Sequence, residues 1–561
     1  MGLVKNFAYK SILNFFSMIL PILVMPYVYR KLSPNSIGMI EYGTSLFTYF
    51  SIFGMLGIYN YGIREISRVR NVQSEVNRVF NALFSIGILS NLCVAIGYYL
   101  LVLFAVHDTT LKTILFLLGI NLMANIFNIE WFNEANEEFK FITIKSIIVR
   151  CLSVLAIFLL IENNNDTYLY VIITVIVLLI NNIVSFIYAK KRLVIQFSFQ
   201  SFTKVITPLL WILVLNNTFI LYGNLDKTFL GIYAGEAEVA YYSVANKIMT
   251  AIYTSVMVLM YVSYPKLSFY AQNDYVSYKR ELSKMVRYTS FLVMPISVFL
   301  YMLSKEIILL FAGEQYIGTI QPLRFFAIYM IITSFTSIFN HQVMLINRRE
   351  KKTVLFCLIC GIINSIGLLI FRDTLNSSLV ILITTLSECI LVGLMAFYAY
   401  KKMGILSEVF AFCNLKYLIL SLAFIPIILL IKYVFINSIC ELNVERNISF
   451  LGYVNNPYPY ILSSDLVCLA SYAEGLPTVL IEGLALGIPF ISSDVGGVKE
   501  LSAGGTCGFV SELDIDIYSK YIFLYSKDAN RQDEMRKMAK RMSLNYDIKK
   551  QITVIDKLLR G

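Results

Sequence analysis

The sequence predicts an all-α polytopic membrane protein with a smaller α/β segment at its C-terminal end. Three observations carry the prediction. Of 561 residues, 58% are hydrophobic and only 15% are charged, where soluble globular chains carry about 25% charged residues. The apolar residues fall in blocks of about 20, enough to cross a hydrocarbon core of roughly 30 Å. The basic residues lie in short clusters between those blocks. Backbone groups in lipid must be satisfied within their own segment, so the blocks read as helices. The period-2 alternation of a membrane β-barrel is absent.

Twelve spans are predicted, at approximately 11–29, 36–60, 79–105, 111–131, 141–161, 167–189, 207–233, 238–264, 287–311, 321–346, 353–371 and 376–400, with a thirteenth apolar block at 415–436. With a cytoplasmic N-terminus, the inner loops hold about 23 Lys and Arg and the outer loops 5, the bias of the positive-inside rule. The inner clusters include Arg64, Arg68, Arg70 and Arg78, then Lys190, Lys191 and Arg192, then Arg348, Arg349, Lys351 and Lys352. A net charge of +11 is thereby explained by topology. Nucleic acid would need an exposed basic face, so no nucleic-acid partner is expected.

The chain also reads as folded in half. Six spans end at 190–192 and six more at 401–402, and the basic loops at 64–78 and 266–287 lie about 202 residues apart. Ser36-Ile37-Gly38 follows the first span of one half, Glu238-Val239-Ala240 that of the other. Six spans per repeat give both halves the same orientation, as in parallel-repeat transporters. The predicted units are an N-terminal six-helix bundle (1–200), a second bundle (201–402), an extra helix and linker (403–440) and the α/β segment (441–561).

Neither metal nor cofactor is expected. Cys357 and Cys360 form a C-x-x-C inside an apolar block, but His107 and His341 are the only histidines, too few ligands for a metal centre. Ile12 to Val28 runs without a small-residue cleavage site, so no cleavable signal is expected.

Charges within predicted spans mark candidate sites, because a charge in the bilayer costs a few kcal/mol or more and faces a cavity or a partner. Arg150, Lys227 and Lys247 are the candidates for a cationic cavity that receives a pyrophosphate, with Asp226 beside them. Lys and Arg suit that ligand because a diphosphate in a low-dielectric space needs paired charge and several donors. The alternative is that Asp226 pairs with Lys227 or Lys247 and joins helices. Glu388 and Glu41 are the candidate carboxylates for cation or proton coupling, since a carboxylate away from water can cycle a proton. Pro21, Pro26 and Pro295 permit helix bending. Tyr27, Tyr29, Tyr59 and Tyr61 fall near span ends, as interfacial belts do.

Four groups of motifs follow one another along the chain: Lys5-Asn6 with Pro26-Tyr27 and Arg30-Lys31-Leu32-Ser33; Gly57-Ile58-Tyr59-Asn60-Tyr61-Gly62-Ile63-Arg64-Glu65; Glu130-Trp131-Phe132-Asn133-Glu134 with Phe139-Lys140-Phe141-Ile142-Thr143; and Asp226 with Gly231, then Tyr242-Ser243. They resemble those of polysaccharide-repeat flippases of the multidrug and oligosaccharidyl-lipid exporter superfamily. Their order covers about residues 1–436. The resemblance implies two six-helix bundles around a central cavity and alternating access. It implies a polyprenyl-pyrophosphate oligosaccharide as substrate in a bacterial cytoplasmic membrane, with membrane lipid, a polysaccharide polymerase and glycosyltransferases of the same pathway as partners. Many members carry fourteen spans, and this chain reads as thirteen.

From about residue 441 the composition turns soluble. Ile448 to Gly452 and Leu466 to Ala470 read as strands, Tyr458 to Leu462 as a short helix. Glu474-Gly475-Leu476-Pro477 through Glu482, an E-x7-E in a Gly/Pro frame, is similar to the donor-binding half of retaining glycosyltransferases with two Rossmann-like domains. The resemblance implies that Glu474 contacts a donor sugar, Glu482 holds a nucleotide ribose, and Gly475 and Leu476 supply amides. A Gly-rich turn before a helix suits phosphate. Only about 120 residues of that fold are present, without an acceptor-binding domain, so the tail is expected to be an inactive remnant. The alternative to a flippase is a membrane-tethered glycosyltransferase.

Overall fold

The computed structural model describes residues 2–197, 202–410, 412–427, 454, 456–472 and 477–544. It divides into a membrane unit, Met1–Glu441, and a tail unit, Leu442–Gly561.

Twelve long helices stand where twelve spans are predicted. In the first half they are α1 (Gly2–Lys31), α2 (Pro34–Met55), α4 (Gln73–Ala105), α5 (Thr109–Ile126), α7 (Phe139–Leu160) and α8 (Thr167–Lys190). In the second half they are α9 (Phe202–Tyr233), α10 (Glu236–Asn273), α11 (Tyr275–Met302), α13 (Ile320–Ser337), α14 (Glu350–Ile370) and α15 (Ser377–Met403). Nine segments among the described residues are long and apolar enough to cross a membrane, or ten if the bent α10 is one span.

Local chemistry sets the ends. Pro34 opens α2 while the Ser33 hydroxyl accepts from the Ser36 amide, so the missing proline N–H falls where it is not needed. Asp108 caps α5, Asp274 caps α11 and Asn376 caps α15 by accepting from first-turn amides. Gly404 closes α15 at φ 61°, a left-handed position that a glycine takes without strain.

Several boundaries differ from the sequence reading. The predicted second span, 36–60, breaks at Leu56 and Gly57, both left-handed, and the chain continues as the separate amphipathic α3 (Ile58–Val69). Its buried face, Ile58, Gly62 and Ile66, packs on the short α6 (Glu130–Ala135); a Cβ at Gly62 would meet the Trp131 ring at 2.4 Å. The predicted fourth span, 111–131, stops at Ile126 before α6. The ninth, 287–311, begins twelve residues earlier at Tyr275 and ends at Met302, with α12 (Ser304–Phe311) following separately. A π-helical segment, Ile338–Leu345, continues α13.

Within the first half, α2, α4 and α5 pack on one another and α7 packs between α1 and α8; within the second, α10 and α13 pack on each other and each packs on both α11 and α15. The halves meet chiefly along α2, which lies against α10 and α9. The thirteenth apolar block is described only in part, as α16 (Phe412–Leu422) on α11; the rest, like the predicted strand at 448–452, lies outside the described residues.

The tail unit carries a parallel three-stranded sheet in the order β1-β2-β3: β1 Val467–Leu469, β2 Phe490–Ser493 and β3 Gly508–Ser511. Val467 pairs with Phe490, and Phe490 with Gly508. Its helices are α17 (Tyr458–Ser463), α18 (Thr478–Ala485), α19 (Val498–Leu501), α20 (Ile515–Lys527) and α21 (Ala529–Ser543). Leu480, Leu484, Phe490, Leu501 and Cys507 form its core.

Candidate functional site

Glu41 of α2 reaches across the boundary between the halves and binds two lysines. Its Oε2 accepts from Lys227 Nζ of α9 at 2.8 Å and its Oε1 from Lys247 Nζ of α10 at 2.5 Å. The lysines therefore come together as the sequence suggests, but through a carboxylate read there as a coupling group. Glu41 and Lys227 are 11% and 16% exposed, Lys247 35%. Lys247 also lies over the Tyr29 ring of α1, 5.9 Å from its centroid. The cytoplasmic N-terminus predicted from loop charge would put the start of α2 at the outer side, with Glu41 about 10 Å along the helix from it.

The outer ends of the halves are tied around this cluster. Arg30 donates to the Leu310 carbonyl at 2.7 Å. Gln315 donates to the Tyr29 carbonyl, and Tyr316 Oη to the Leu32 carbonyl at 3.0 Å. A Cβ on Gly231 would meet the Tyr42 ring at 2.1 Å, so α2 and α9 approach through a glycine.

Asp226 does not pair with either lysine. It is 1% exposed and accepts from Tyr242 Oη at 2.6 Å, Thr384 Oγ1 at 2.7 Å and Asn364 Nδ2 at 3.2 Å. Those partners come from α10, α15 and α14. The side chains of Asp226, Asn364 and Thr384 present oxygen atoms, a donor type suited to a hard cation. Among the described residues no group of three or more His, Cys, Asp and Glu could hold a metal ion.

A cavity of about 710 Å³ lies inside the second half, lined by Asp226, Tyr242, Tyr253, His341, Thr384 and Glu388 among others. It extends to Glu350 at the first turn of α14. Glu388 is 4% exposed, so both deeply buried carboxylates of the second half open on one cavity. This cavity is acidic, whereas the sequence reading expects cationic walls; the two lysines sit outside its lining. The π-helical turn that carries His341 forms part of the wall, and such turns recur at functional sites.

Arg150 stands apart. It is half-buried on α7, two turns after Thr143, which donates to the Tyr9 carbonyl of α1 at 3.1 Å. This places it on the stripe of α7 that faces α1. No acidic side chain pairs with it among the described residues.

One buried ion pair was missed by sequence reasoning. Lys145, 3% exposed in its side chain, binds Glu130 Oε2 at 2.8 Å and donates to Ser185 Oγ at 2.6 Å and the Asn181 carbonyl at 3.3 Å. Ser185 in turn donates to Glu130. A lysine five residues into a predicted span was the available signal.

These side chains sit in a framework that other proteins share. The model of a family described as "Polysaccharide biosynthesis protein" matches residues 28–321, more than half of the chain. The chain belongs to the polysaccharide biosynthesis protein family. A protein of Escherichia coli (strain K12) whose name assigns it as an O-antigen transporter is 20% identical to this family member over 403 residues, 71% of this chain and 97% of that protein. The fold is similar to that of a solved structure titled lipid II flippase MurJ, inward closed conformation, with a TM-score of 0.57 and 18% identity over 75% of this chain and 92% of the other.

The tail of this polysaccharide biosynthesis family member matches a second model, "Glycosyl transferases group 1", over residues 432–542. An uncharacterized glycosyltransferase of Haemophilus influenzae is 33% identical over 111 residues, 19% of this chain and 31% of that protein. The chain thus spans less than a third of that relative. Glu474, Gly475 and Leu476 lie outside the described residues; Glu482 is half-buried on α18.

Proposed function

We propose that this protein flips polyprenyl-pyrophosphate-linked oligosaccharide units from the inner to the outer leaflet of a bacterial cytoplasmic membrane, for surface polysaccharide synthesis. The observation that carries the reading is the placement of Lys227 and Lys247 between the two halves of a polysaccharide biosynthesis family member. Two ammonium groups in a low-dielectric setting supply paired charge and several donors, which a diphosphate headgroup needs to leave water. Arg150, on the stripe facing α1, is proposed as a third cation on the path.

Alternating access follows from the same geometry. The ties from Arg30, Gln315 and Tyr316 close the outer side. Release outward requires the contact of α2 with α9 and α10 to part, and the chain then alternates between outer-closed and outer-open forms. Coupling is assigned to Asp226 and Glu388, whose shared cavity reaches the inner end of α14. Glu41, already engaged by two lysines, is not assigned to coupling. The polymerase and glycosyltransferases of the same pathway are the proposed functional neighbours.

The tail is proposed to lack transferase activity of its own. Its match spans 31% of the Haemophilus influenzae relative, and a donor site needs the second domain to close around the sugar nucleotide. Sugar-nucleotide hydrolysis or transfer by the purified chain would overturn that assignment.

The test is genetic. The host gene is deleted, and residues 1–440 alone are supplied. Restored surface polysaccharide supports flipping and a dispensable tail. Absence of surface polysaccharide with the full chain present would remove the flippase reading.

A further inference from the structure

We infer that Glu41 is a built-in stand-in for the substrate's anionic headgroup. It holds the outer side shut by occupying the position between Lys227 and Lys247, and a diphosphate must displace it to open that side. The inference rests on the flippase reading and deepens it, because it makes headgroup charge the signal for opening.

Four observations place the exchange. Glu41 engages each lysine with a different oxygen, Lys227 through Oε2 and Lys247 through Oε1. A carboxylate used this way bridges two cations as two phosphoryl oxygens would. It is the one acid paired with either lysine among the described residues. Second, the bridge crosses the halves: Glu41 comes from α2 and the lysines from α9 and α10, the helices along which the halves meet. Third, the two ends differ in access. Lys247 is 35% exposed while Glu41 is 11% exposed, so an incoming anion meets the lysine before the carboxylate lets go. Fourth, Tyr29 Oη is fully buried beside the bridge, with the Lys247 ammonium over its ring, so a further polar group adjoins the position Glu41 occupies.

The charge count makes the exchange selective. Two lysines and one glutamate carry a net single positive charge. A neutral lipid cannot replace Glu41 without leaving both ammonium groups unpaired in the membrane, which is costly. A headgroup with two or more negative charges replaces it and frees α2.

The full chain in lipid nanodiscs tests this with two readings. Spin labels at Asn35 and Ile232, both exposed at the outer ends of α2 and α9, report the outer separation. Binding of geranylgeranyl diphosphate, the monophosphate and the free alcohol reports headgroup choice. The wild type should bind the diphosphate, widen when it binds, and ignore the alcohol. E41Q should bind the diphosphate at least tenfold more tightly and widen without ligand; E41D should behave as the wild type. K227M and K247M should each lose at least tenfold in diphosphate binding. E41Q with unchanged separation, or with equal or weaker diphosphate binding, would overturn the exchange. If E41Q cannot be purified, K227M and K247M binding as well as the wild type overturns it. A chain that fails genetic complementation yet shows tighter binding by E41Q keeps the exchange and loses the flippase reading. Complementation with no gain in E41Q binding does the reverse.

Discussion

Gly38 on α2 packs directly against the main-chain carbonyl of Glu236 at the first turn of α10, and a Cβ on Gly38 would sit 1.7 Å from that oxygen. No rotamer change relieves a clash with backbone. Gly38→Ala must therefore push α2 from α10 at their outer ends, at a cost of about 1–3 kcal/mol for overpacking. The expected outcome is a lower melting temperature for the purified chain and increased labelling from outside of a cysteine placed at Asn35. Unchanged melting and labelling would mean that the outer ends do not pack this closely.

The buried pair Lys145–Glu130 should behave as a structural pin. Lys145→Met leaves a carboxylate with one cationic partner fewer inside the first half, a loss of roughly 3–5 kcal/mol. Thermal unfolding in detergent should show a large drop for the single variant and a smaller one for K145M/E130Q. A loss in K145M/E130Q equal to the sum of the losses in K145M and in E130Q would show that the pair contributes nothing beyond its members.

Asp226 accepts three hydrogen bonds from three helices. Asp226→Asn keeps the shape but cannot carry the charge, so transport should fall at least tenfold while membrane insertion persists. Its stability should change by about 1–3 kcal/mol, the range for a buried polar group that loses a partner. Transport that persists at the wild-type level would exclude Asp226 from coupling.

In the tail, burial pushes the Cys507 thiol up to about 11, from 9.0. The folded form holds its proton where the unfolded form gives it up. The stability this adds is complete below pH 9 and is lost as pH rises towards 11. Cys507→Ala should flatten the alkaline side of the tail's unfolding profile, followed by tryptic cleavage of the full chain. The native thiol should resist maleimide at pH 8. Rapid labelling under native conditions would contradict its burial.

The helices were legible because hydropathy and loop charge are local signals. Twelve apolar blocks became twelve long helices, and the break at Leu56–Gly57 escaped only because apolar residues continue through it. The site was legible by residue type, not by pairing. Lys227, Lys247, Asp226, Glu41 and Glu388 all stood out as charges in apolar surroundings. Glu41 lies 186 and 206 residues from its lysines, and Asp226 lies 138 and 158 from Asn364 and Thr384. No single-sequence pattern links positions so far apart, and the adjacency of Asp226 and Lys227 suggests a pairing that helix geometry prevents, since neighbouring side chains point about 100° apart. Lys145 is readable as an intramembrane charge, but it lies near a span end, where a long lysine can also reach the interface.

The most direct measurement is reconstitution of the full chain in proteoliposomes with a lipid-linked oligosaccharide loaded in one leaflet, followed by a glycosidase added to the other side. The account predicts that the wild type exposes the oligosaccharide to the enzyme and that K227M/K247M does not. Equal exposure with both proteins, or with neither, would contradict it.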